Sequence, residues 1–428
     1  MASRRVVITG RGVVSPLGIG IEKHRDGIFS NRSYLRKSEA LAAMHYPPVC
    51  AGVVPDEELV SAIGLIPPKQ KKLMNRAGIL AAIASALAAK EAGLGRDQMD
   101  PTRIGICLAS WFTFYHLPSY LRYLAETESK RGSRVMDAQK ANTGWLERMN
   151  PIDFSLKVLP NLTAGHLAIF HQAQGGTRMI ADGWRGGLLA VAQAAQLIRD
   201  GDVDVVLAGG AESPLEEGIF CDLCILPVLA RDGDRIDGLC RPFDVSRCGT
   251  VLGEGAGVVV LEERDHALQR KATLYGEVIG SGSAGSGADG NTEKALTRSM
   301  SQAMSKCELG ADAVGFIHAN GDSTQENDRA EWRAIDCVFG PQVAAVPVTA
   351  TKSLHGHLLS ASGAVELISS LLILDKGMIP PIAYCDRPDP ECPLDLVRGM
   401  PRAKQRMRTV LLNAVGLFGE AASLVVKR

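Results

Sequence analysis

Short runs of β-branched and apolar residues alternate with longer Ala- and Leu-rich stretches along most of the chain. The short runs are typical of strands buried on both faces, and the longer stretches are typical of helices that pack against a sheet. A regular alternation of the two predicts α/β architecture. The pattern predicts strands over residues 6–9, 103–109, 177–181, 203–209, 257–262, 274–280, 315–319, 408–414 and 423–427, and helices over 72–93, 187–199, 293–306, 327–339 and 361–376.

The alternation starts again after residues 264–271, which are charged and contain no strand pattern. We therefore place a boundary near residue 265, with an N-terminal half over residues 1–265 and a C-terminal half over residues 266–428. Both halves alternate strand and helix, as an internal duplication would. The sequence itself shows no obvious repeat.

Composition excludes several classes of protein. The chain has 428 residues, of which 46% are hydrophobic and 22% are charged, an ordinary globular composition that excludes a disordered chain, a coiled coil or a collagen-like fibre. Lys and Arg number 47, and Asp and Glu also number 47. Nucleic-acid binders and membrane-surface binders usually carry a basic excess, so this balance disfavours both partners.

The N-terminal apolar run covers only residues 6–8, far shorter than the apolar region of a signal peptide. The longest apolar stretch, 78–89, is interrupted by Ser85 and is too short to span a bilayer. The ten cysteines are scattered rather than arranged as a disulfide framework. We expect a cytoplasmic protein with reduced thiols.

One group of cysteines has partly metal-like spacing. Cys221 and Cys224 are separated by two residues, as in a zinc knuckle, but Cys240 and Cys248 are separated by seven. Zinc or redox chemistry is therefore disfavoured, and small apolar packing residues are the preferred interpretation.

Four segments, taken together, resemble the β-ketoacyl synthase family of the thiolase superfamily. They appear in the family's order and, with residues 6–18 and 413–419, cover nearly the whole chain. They are GDVDVVLAGGAE at 201–212, RPFD at 241–244 with GEGAGVVVLE at 253–262, NGDSTQEND at 320–328, and TKSLHGHLLSASGAVE at 351–366. The resemblance implies a thiolase-like αβαβα layered fold, built from two similar halves and working as a dimer.

The resemblance also implies a chemistry. Active members use a Cys nucleophile that accepts the acyl chain as a thioester, two His residues that bind the malonyl thioester oxygen and stabilise charge as CO₂ leaves, and a Lys that holds the network. The acyl groups are carried on acyl carrier protein. No cofactor and no metal are implied.

The catalytic positions of the family are only partly occupied here. The family's nucleophile elbow aligns with residues 182–187, which places Trp184 where the Cys belongs, and an indole cannot form an acyl intermediate. The first catalytic His is replaced by Asn320, and the Thr two residues later by Asp322. The second His and the Lys are kept as His357 and Lys352. These two are either functional remnants or a structural hydrogen-bonding pair.

Two further histidines lie close to these motifs in the sequence. His318 lies two residues before Asn320, so on a strand both side chains share a face, and His318 is a weak candidate to replace the lost His. His355 is interpreted as a polar loop residue.

The family's last glycine-rich turn, whose Phe gates the acyl pocket, aligns with residues 416–421. Leu417 replaces the gate, and Phe418 takes a position normally given to Gly, where it would hinder the turn and the approach of substrate. With the nucleophile, one His and the gate turn altered, the chain is interpreted as a degenerate ketosynthase.

An intact fold without a nucleophile resembles the chain-length factor, the β-subunit of type II polyketide ketosynthases. That resemblance implies a heterodimer with a ketosynthase α-subunit, contact with acyl carrier protein mainly through that partner, and a tunnel for the growing chain. The aromatic segment after the strand at 103–109 replaces a glycine-rich segment of active homologues. Its candidate tunnel residues are Phe112, Thr113, Phe114 and Tyr115, with a buried core or interface cluster as the equal alternative.

A basic run at the predicted start of the 72–93 helix coincides with the family's carrier-protein contact, although a solvated helix end explains such a run more simply. Its members are Lys69, Lys71, Lys72 and Arg76. Two other functions stay open: a homodimer that uses His357 with Asp322 or His318 for non-covalent acyl transfer or decarboxylation, and a scaffold.

Overall fold

The computed structural model describes residues 4–43, 50–95, 99–111, 117–130, 132–147, 149, 151–231, 236–404 and 407–428. The β-strands of these residues are β1 (Val6–Ser15), β2 (Gly18–Ile19), β3 (Arg36–Lys37), β4 (Cys50–Ala51), β5 (Ile104–Ala109), β6 (Thr177–Ile180), β7 (Val205–Glu212), β8 (Gly255–Glu263), β9 (Gly276–Ala284), β10 (Phe316–His318), β11 (Pro347–Thr349), β12 (Met378–Ile379), β13 (Asp395–Leu396), β14 (Arg402–Ala403), β15 (Thr409–Val415) and β16 (Ala421–Lys427).

The α-helices are α1 (Ile21–Ile28), α2 (Glu39–Ala43), α3 (Asp56–Ala62), α4 (Pro68–Lys71), α5 (Arg76–Glu91), α6 (Leu117–Thr127), α7 (Ala138–Glu147), α8 (Pro151–Val158), α9 (Asn161–His171), α10 (Gly186–Arg199), α11 (Glu217–Cys224), α12 (Arg264–Gln269), α13 (Thr292–Ser305), α14 (Gln325–Phe339), α15 (Lys352–His355) and α16 (Ser362–Lys376). None of the helices in the described ranges is long and apolar enough to cross a membrane.

The main sheet consists of two halves with the same topology. The N-terminal half has the spatial order β6-β5-β7-β8-β1, and the C-terminal half has the order β11-β10-β15-β16-β9. In each half the first three strands are parallel and the last two are antiparallel to their neighbours. Strand β1 joins the halves by pairing with β9. Two halves of equal order and direction are the arrangement that a duplication leaves, although the sequence shows no repeat.

Helices cover both faces of each half and fill the space between them. Helix α5 packs on β1 and β8 at one outer face, and α13 packs on β9 and β16 at the other. Helices α10 and α16 contact each other, with α10 against β5 and β7 and α16 against β8 and β15, so they form the middle layer. The predicted αβαβα layered fold is confirmed. The predicted boundary near residue 265 falls in α12, between β8 and β9.

Glycines allow the layers to approach at the positions that build the site. A Cβ at Gly210, on β7, would lie 2.3 Å from the carbonyl oxygen of Ser360, and one at Gly187, on α10, would lie 2.6 Å from the same oxygen. Any side chain at these positions would push away the loop that carries His357 and Ser360. The Ala-Gly-Gly-Ala segment of β7, residues 208–211, therefore has a packing role that could not be inferred from the sequence pattern.

The largest differences from the predicted elements are at β1 and between β5 and β6. The sequence predicted a strand over residues 6–9, but β1 continues to Ser15. The polar Arg11 can lie within the strand because it forms a 2.8 Å ion pair with Glu91 and lies over the Tyr275 ring at 3.6 Å. Helices α6 to α9 were not predicted. They have 11, 10, 8 and 11 residues and are shorter than α5, which has 16, and α10, which has 14.

Candidate active site

Trp184 lies in the turn between β6 and α10. Residues 183–185 form a single helical turn, and α10 begins at Gly186. Gly183 has a φ of +58°, a left-handed conformation that glycine adopts without steric cost. The Arg185 guanidinium stabilises the turn by donating hydrogen bonds to the carbonyl oxygens of Ala284 and Ala421, at 2.9 and 3.0 Å. The backbone thus still presents residue 184 at the start of a helix, as the sequence predicts.

The indole of Trp184 is 1% exposed and lies against His357. The two ring centroids are 4.7 Å apart with an angle of 57° between the planes. Neither the indole Nε1 nor the imidazole Nε2 has a hydrogen-bond partner in the described part of the chain. The indole therefore covers His357 and fills the position that the resemblance assigns to the nucleophile.

His357 is held as a neutral ring. Its Nδ1 accepts the backbone N–H of Leu359 at 3.0 Å, so the proton of the neutral imidazole is assigned to Nε2. Complete burial lowers the pKa of His357 well below its usual value, and the nearby Lys352 charge lowers it further. At neutral pH the ring is a hydrogen-bond donor from Nε2 without a positive charge.

Asn320 is fully engaged in hydrogen bonds to other parts of the fold. Its side-chain oxygen accepts the Val415 N–H at 3.1 Å and Lys352 Nζ at 3.3 Å, and its side-chain nitrogen donates to Asp322 at 3.2 Å. Its own N–H donates to Glu331 at 2.8 Å. Asn320 therefore links several parts of the fold through its side chain and its backbone N–H.

The Asp322 side chain is also engaged in hydrogen bonds within the fold. Its carboxylate is buried and accepts the Thr324 N–H at 2.9 Å, the Thr324 hydroxyl at 2.7 Å and the Asn327 amide at 2.6 Å, besides the bond from Asn320. A carboxylate that already accepts four hydrogen bonds has little capacity left to accept another from a substrate. The structure therefore weakens the pairing of His357 with Asp322 in non-covalent chemistry.

Lys352 is the cation of the site. Its Nζ donates to Glu366 at 2.6 Å and to the Asn320 carbonyl at 2.6 Å, and both charged side chains are buried. Burial raises the pKa of Glu366, and Lys352 opposes that rise. Lys352 thus holds together α15, α16 and the loop that carries Asn320.

His318 and His355 are structural residues. Both ring nitrogens of His318 are within hydrogen-bond distance of hydroxyls, Ser370 at 2.8 Å and Thr351 at 3.2 Å, and burial lowers its pKa to about 3. These contacts weaken His318 as a candidate for a catalytic histidine. The interpretation of His355 as a loop residue is wrong, since it is buried in α15 with a 2.7 Å hydrogen bond to the Gly356 carbonyl.

The last turn separates its two altered residues. Leu417 is half-buried and packs on the apolar cluster that contains Trp184. Phe418 is 71% exposed. It therefore does not obstruct the pocket, contrary to the expectation from the sequence. Gly419 takes the left-handed conformation of the turn with a φ of +81°, so Phe418 needs no unusual backbone angle.

A cavity of about 300 Å³ opens beside the Trp184 indole. Its walls combine apolar side chains, the last turn and the start of α14; they include Trp184, Pro227, Val228, Cys248, Thr324, Gln325, Asn327 and Leu417. The sequence did not predict that Cys248 lies near Trp184. It lies 64 positions along the chain from Trp184, and its sequence neighbours give no sign of the proximity.

The cysteines behave differently from one another. Cys224 and Cys240 are buried, and burial raises the pKa of the Cys224 thiol to about 11, so these two match the packing interpretation. Cys221 is half-buried, and Cys248 is exposed, so the packing interpretation is wrong for Cys248. No three His, Cys, Asp or Glu side chains of the described residues are grouped as metal ligands.

The predicted tunnel residues Phe112, Thr113, Phe114 and Tyr115 lie outside the described residues. The residue before them, Trp111, is half-buried on the same apolar cluster as Trp184, and its N–H donates to Glu212 at 2.9 Å.

The residues of the basic run have different environments in the structure. Lys69 and Lys72 are exposed and Lys71 is half-buried, around α4. Arg76 instead forms two 2.6 Å hydrogen bonds with the buried carboxylate of Glu254. Arg76 is thus engaged within the chain, while 34% of its side chain stays exposed.

Comparisons with known proteins agree over the whole chain. Residues 3–267 match the family described as "Beta-ketoacyl synthase, N-terminal domain", and residues 275–386 match "Beta-ketoacyl synthase, C-terminal domain". The chain is 33% identical to Nodulation protein E of Rhizobium leguminosarum bv. trifolii, with 99% of each chain covered. It is 31% identical to the "Tetracenomycin polyketide synthase ketoacyl synthase alpha subunit" of Streptomyces glaucescens, covering 100% of this chain and 98% of the relative.

A solved structure is also similar along its full length. "The ishigamide ketosynthase/chain length factor" superposes with a TM-score of 0.85 at 28% identity, covering 100% of this chain and 99% of the other.

Proposed function

The chain belongs to the β-ketoacyl synthase family, and from that premise we propose that it is a non-catalytic, chain-length-determining subunit that pairs with an active ketosynthase and shapes the tunnel for its polyketide or acyl chain. The observation that carries the proposal is the buried Trp184 indole at the nucleophile position, packed on His357. A chain with this residue has no thiol for the acyl intermediate at the elbow, so a partner must supply it. The proposed setting is cytoplasmic, without cofactor or metal.

The surface near β6 supports a partner chain. Strand β6 is the outermost strand of its half of the sheet, and Thr177 and Arg178 on it are exposed. Helix α9 packs against β6 and presents Ile169, which is 65% exposed. An open strand edge beside an exposed apolar side chain is a surface that proteins normally cover. We place the ketosynthase α-subunit on this edge.

The tunnel wall is proposed for Phe112, Thr113, Phe114 and Tyr115. Strand β5 leads to Trp111, which packs on the Trp184 cluster, and we propose that the tunnel wall follows from there. Rings there would form a rigid stop for a growing chain. Acyl carrier protein is proposed to dock mainly on the α-subunit, with Lys69, Lys71 and Lys72 as a minor contact.

Native mass spectrometry tests the pairing. We expect the chain, co-expressed with the ketosynthase encoded nearest to it, to form a 1:1 heterodimer. Ile169→Glu should weaken that heterodimer at least about tenfold, because a charge would be buried without a partner. Met400→Glu is the matched control, since Met400 is 78% exposed and follows β13 at the opposite edge of the sheet.

A stable homodimer that does not bind the ketosynthase would contradict the proposal. It would favour the homodimer with non-covalent acyl transfer or decarboxylation at His357, or the scaffold. The specific reason to keep the enzyme in view is the His357 Nε2, which has no partner among the described residues.

A second prediction concerns product length. Replacing Phe112 or Phe114 with Ala should lengthen the partner's product while the heterodimer stays assembled, because removal of a ring deepens the tunnel. Product mass after incubation with malonyl-loaded carrier protein reports the length, and Trp145→Ala on α7 is an aromatic control. Unchanged product in an intact complex would remove these residues from the tunnel.

A further inference from the structure

The open edge of β6 carries a positive charge without a partner. Strand β6 pairs with β5 and is the last strand of its half of the sheet, so its outer N–H and C=O groups face no other strand among the described residues. Arg178 is exposed on this edge. In the described part of the chain, no carboxylate forms an ion pair with it. A chain that pairs with β6 therefore meets this guanidinium.

Arg178 lies on the α10 side of the sheet. In the parallel pairing of β5 with β6 it is directly opposite Cys107, so the two side chains share a face. Cys107 is buried in the core cluster that contains Ala194 and Ala195 of α10. Burial raises the pKa of the Cys107 thiol to about 12, and the nearby Arg178 charge opposes that rise. The face of the edge that carries the charge is thus known.

This face determines what a second copy of the chain would meet. Two copies that pair through the same edge are related by a two-fold axis. Their edge strands run antiparallel, and the axis is perpendicular to the sheet. A rotation about that axis keeps each side chain on its own face of the sheet. In a homodimer of this kind, both Arg178 side chains would therefore lie on one continuous face.

The short strand also limits the distance between the two charges. Strand β6 has only 4 residues, Thr177–Ile180. The registers that keep most of its pairing place the two Arg178 residues directly opposite or diagonal to each other, about 5–8 Å apart between Cβ atoms. Like charges at such positions destabilise a strand pair, and like charges across an interface exclude the wrong partner. Arg178 therefore opposes self-pairing of β6.

We propose that Arg178 determines which chain pairs with β6: it disfavours a second copy of this chain and favours a ketosynthase α-subunit that carries an Asp or Glu on the facing strand. A carboxylate there would accept two hydrogen bonds from the guanidinium. This inference rests on the proposed function, which places the α-subunit on this edge, and it adds the chemistry by which that subunit is recognised.

Two dissociation constants test the inference, both measured on the full chain by analytical ultracentrifugation. One is that of the homodimer, and the other is that of the heterodimer with the ketosynthase encoded nearest to the chain. Arg178→Gln removes the charge without adding apolar surface. It should tighten the homodimer and weaken the heterodimer, each at least about fivefold. Arg178→Lys keeps the charge and is the matched control, with a homodimer within about twofold of the wild type.

Salt gives a second readout that needs no variant. A rise from about 0.1 M to about 1 M NaCl shortens the screening length from roughly 10 Å to roughly 3 Å, below the distance between the two charges. The wild-type homodimer should become tighter as its repulsion is screened, and the heterodimer should become weaker as its ion pair is screened. Arg178→Gln should reduce both slopes. Packing contacts alone would not give slopes of opposite sign.

A homodimer that is equally tight in the wild type and in Arg178→Gln would overturn the inference. So would a heterodimer that forms and is unaffected by Arg178→Gln. The absence of any heterodimer would instead contradict the proposed function, and the homodimer measurement would still decide whether Arg178 opposes self-pairing.

Discussion

Replacing Lys352 with methionine should lower the free energy of unfolding by about 3–5 kcal/mol, the usual cost of removing one partner of a buried ion pair. The Glu366 carboxylate loses its 2.6 Å bond from Nζ, and the Asn320 carbonyl loses another of the same length. Neither group can turn to water, because the whole region is buried. Urea denaturation followed by circular dichroism gives the change.

Lys72→Met is the control for that variant, because Lys72 is exposed and its replacement should change the free energy of unfolding by less than about 0.5 kcal/mol. The double variant Lys352→Met with Glu366→Leu should recover part of the loss, since it removes the unpaired carboxylate. A Lys352→Met chain as stable as the wild type would show that the pair does not support the fold.

Replacing Trp184 with cysteine should cost about 3 kcal/mol of unfolding free energy and should not restore condensation. The stability falls because the indole fills the space between His357 and the apolar cluster of α11, and a thiol leaves a cavity there. Condensation stays absent because Asn320 is tied to Val415, Lys352 and Asp322 and offers no imidazole to the thioester oxygen. Denaturation and release of CO₂ from malonyl thioester measure the two effects.

Trp184→Phe is the control: it keeps most of the ring volume and should lose less stability than the cysteine variant. Acylation at residue 184 followed by chain extension would mean that the roles of Asn320 and the last turn have been misinterpreted.

The layered fold could be predicted because it depends on local periodicity and on motifs that lie within single elements. The turn that holds Trp184 could be located by its spacing from residues 201–202, and the structure places it before α10 as expected. The position of His357 against the indole could not, because that contact joins residues 173 positions apart through the packing of β7, α10 and α16.

Other features escaped the sequence for a similar reason. Arg76 belongs to a basic run that predicted a carrier-protein contact, and its ion pair with Glu254, 178 positions away, could not be inferred from that run. Cys248 was interpreted from the sequence as a packing residue, and only the fold shows that it borders a cavity. Whether a polar or reactive side chain is exposed depends on long-range contacts that sequence spacing does not contain.

The hydrogen bonds around Asn320 and Asp322 also bear on the history of the chain. A single change of Asn320 to histidine would remove the amide that donates to Asp322 and the oxygen that accepts from Val415 and Lys352. A single change of Asp322 to threonine would leave the Asn327 amide and the Asn320 amide without their carboxylate. Either change alone breaks hydrogen bonds that the other residue still needs. Under the proposed loss of catalysis, the stability of the fold would therefore oppose a return of a catalytic histidine one substitution at a time.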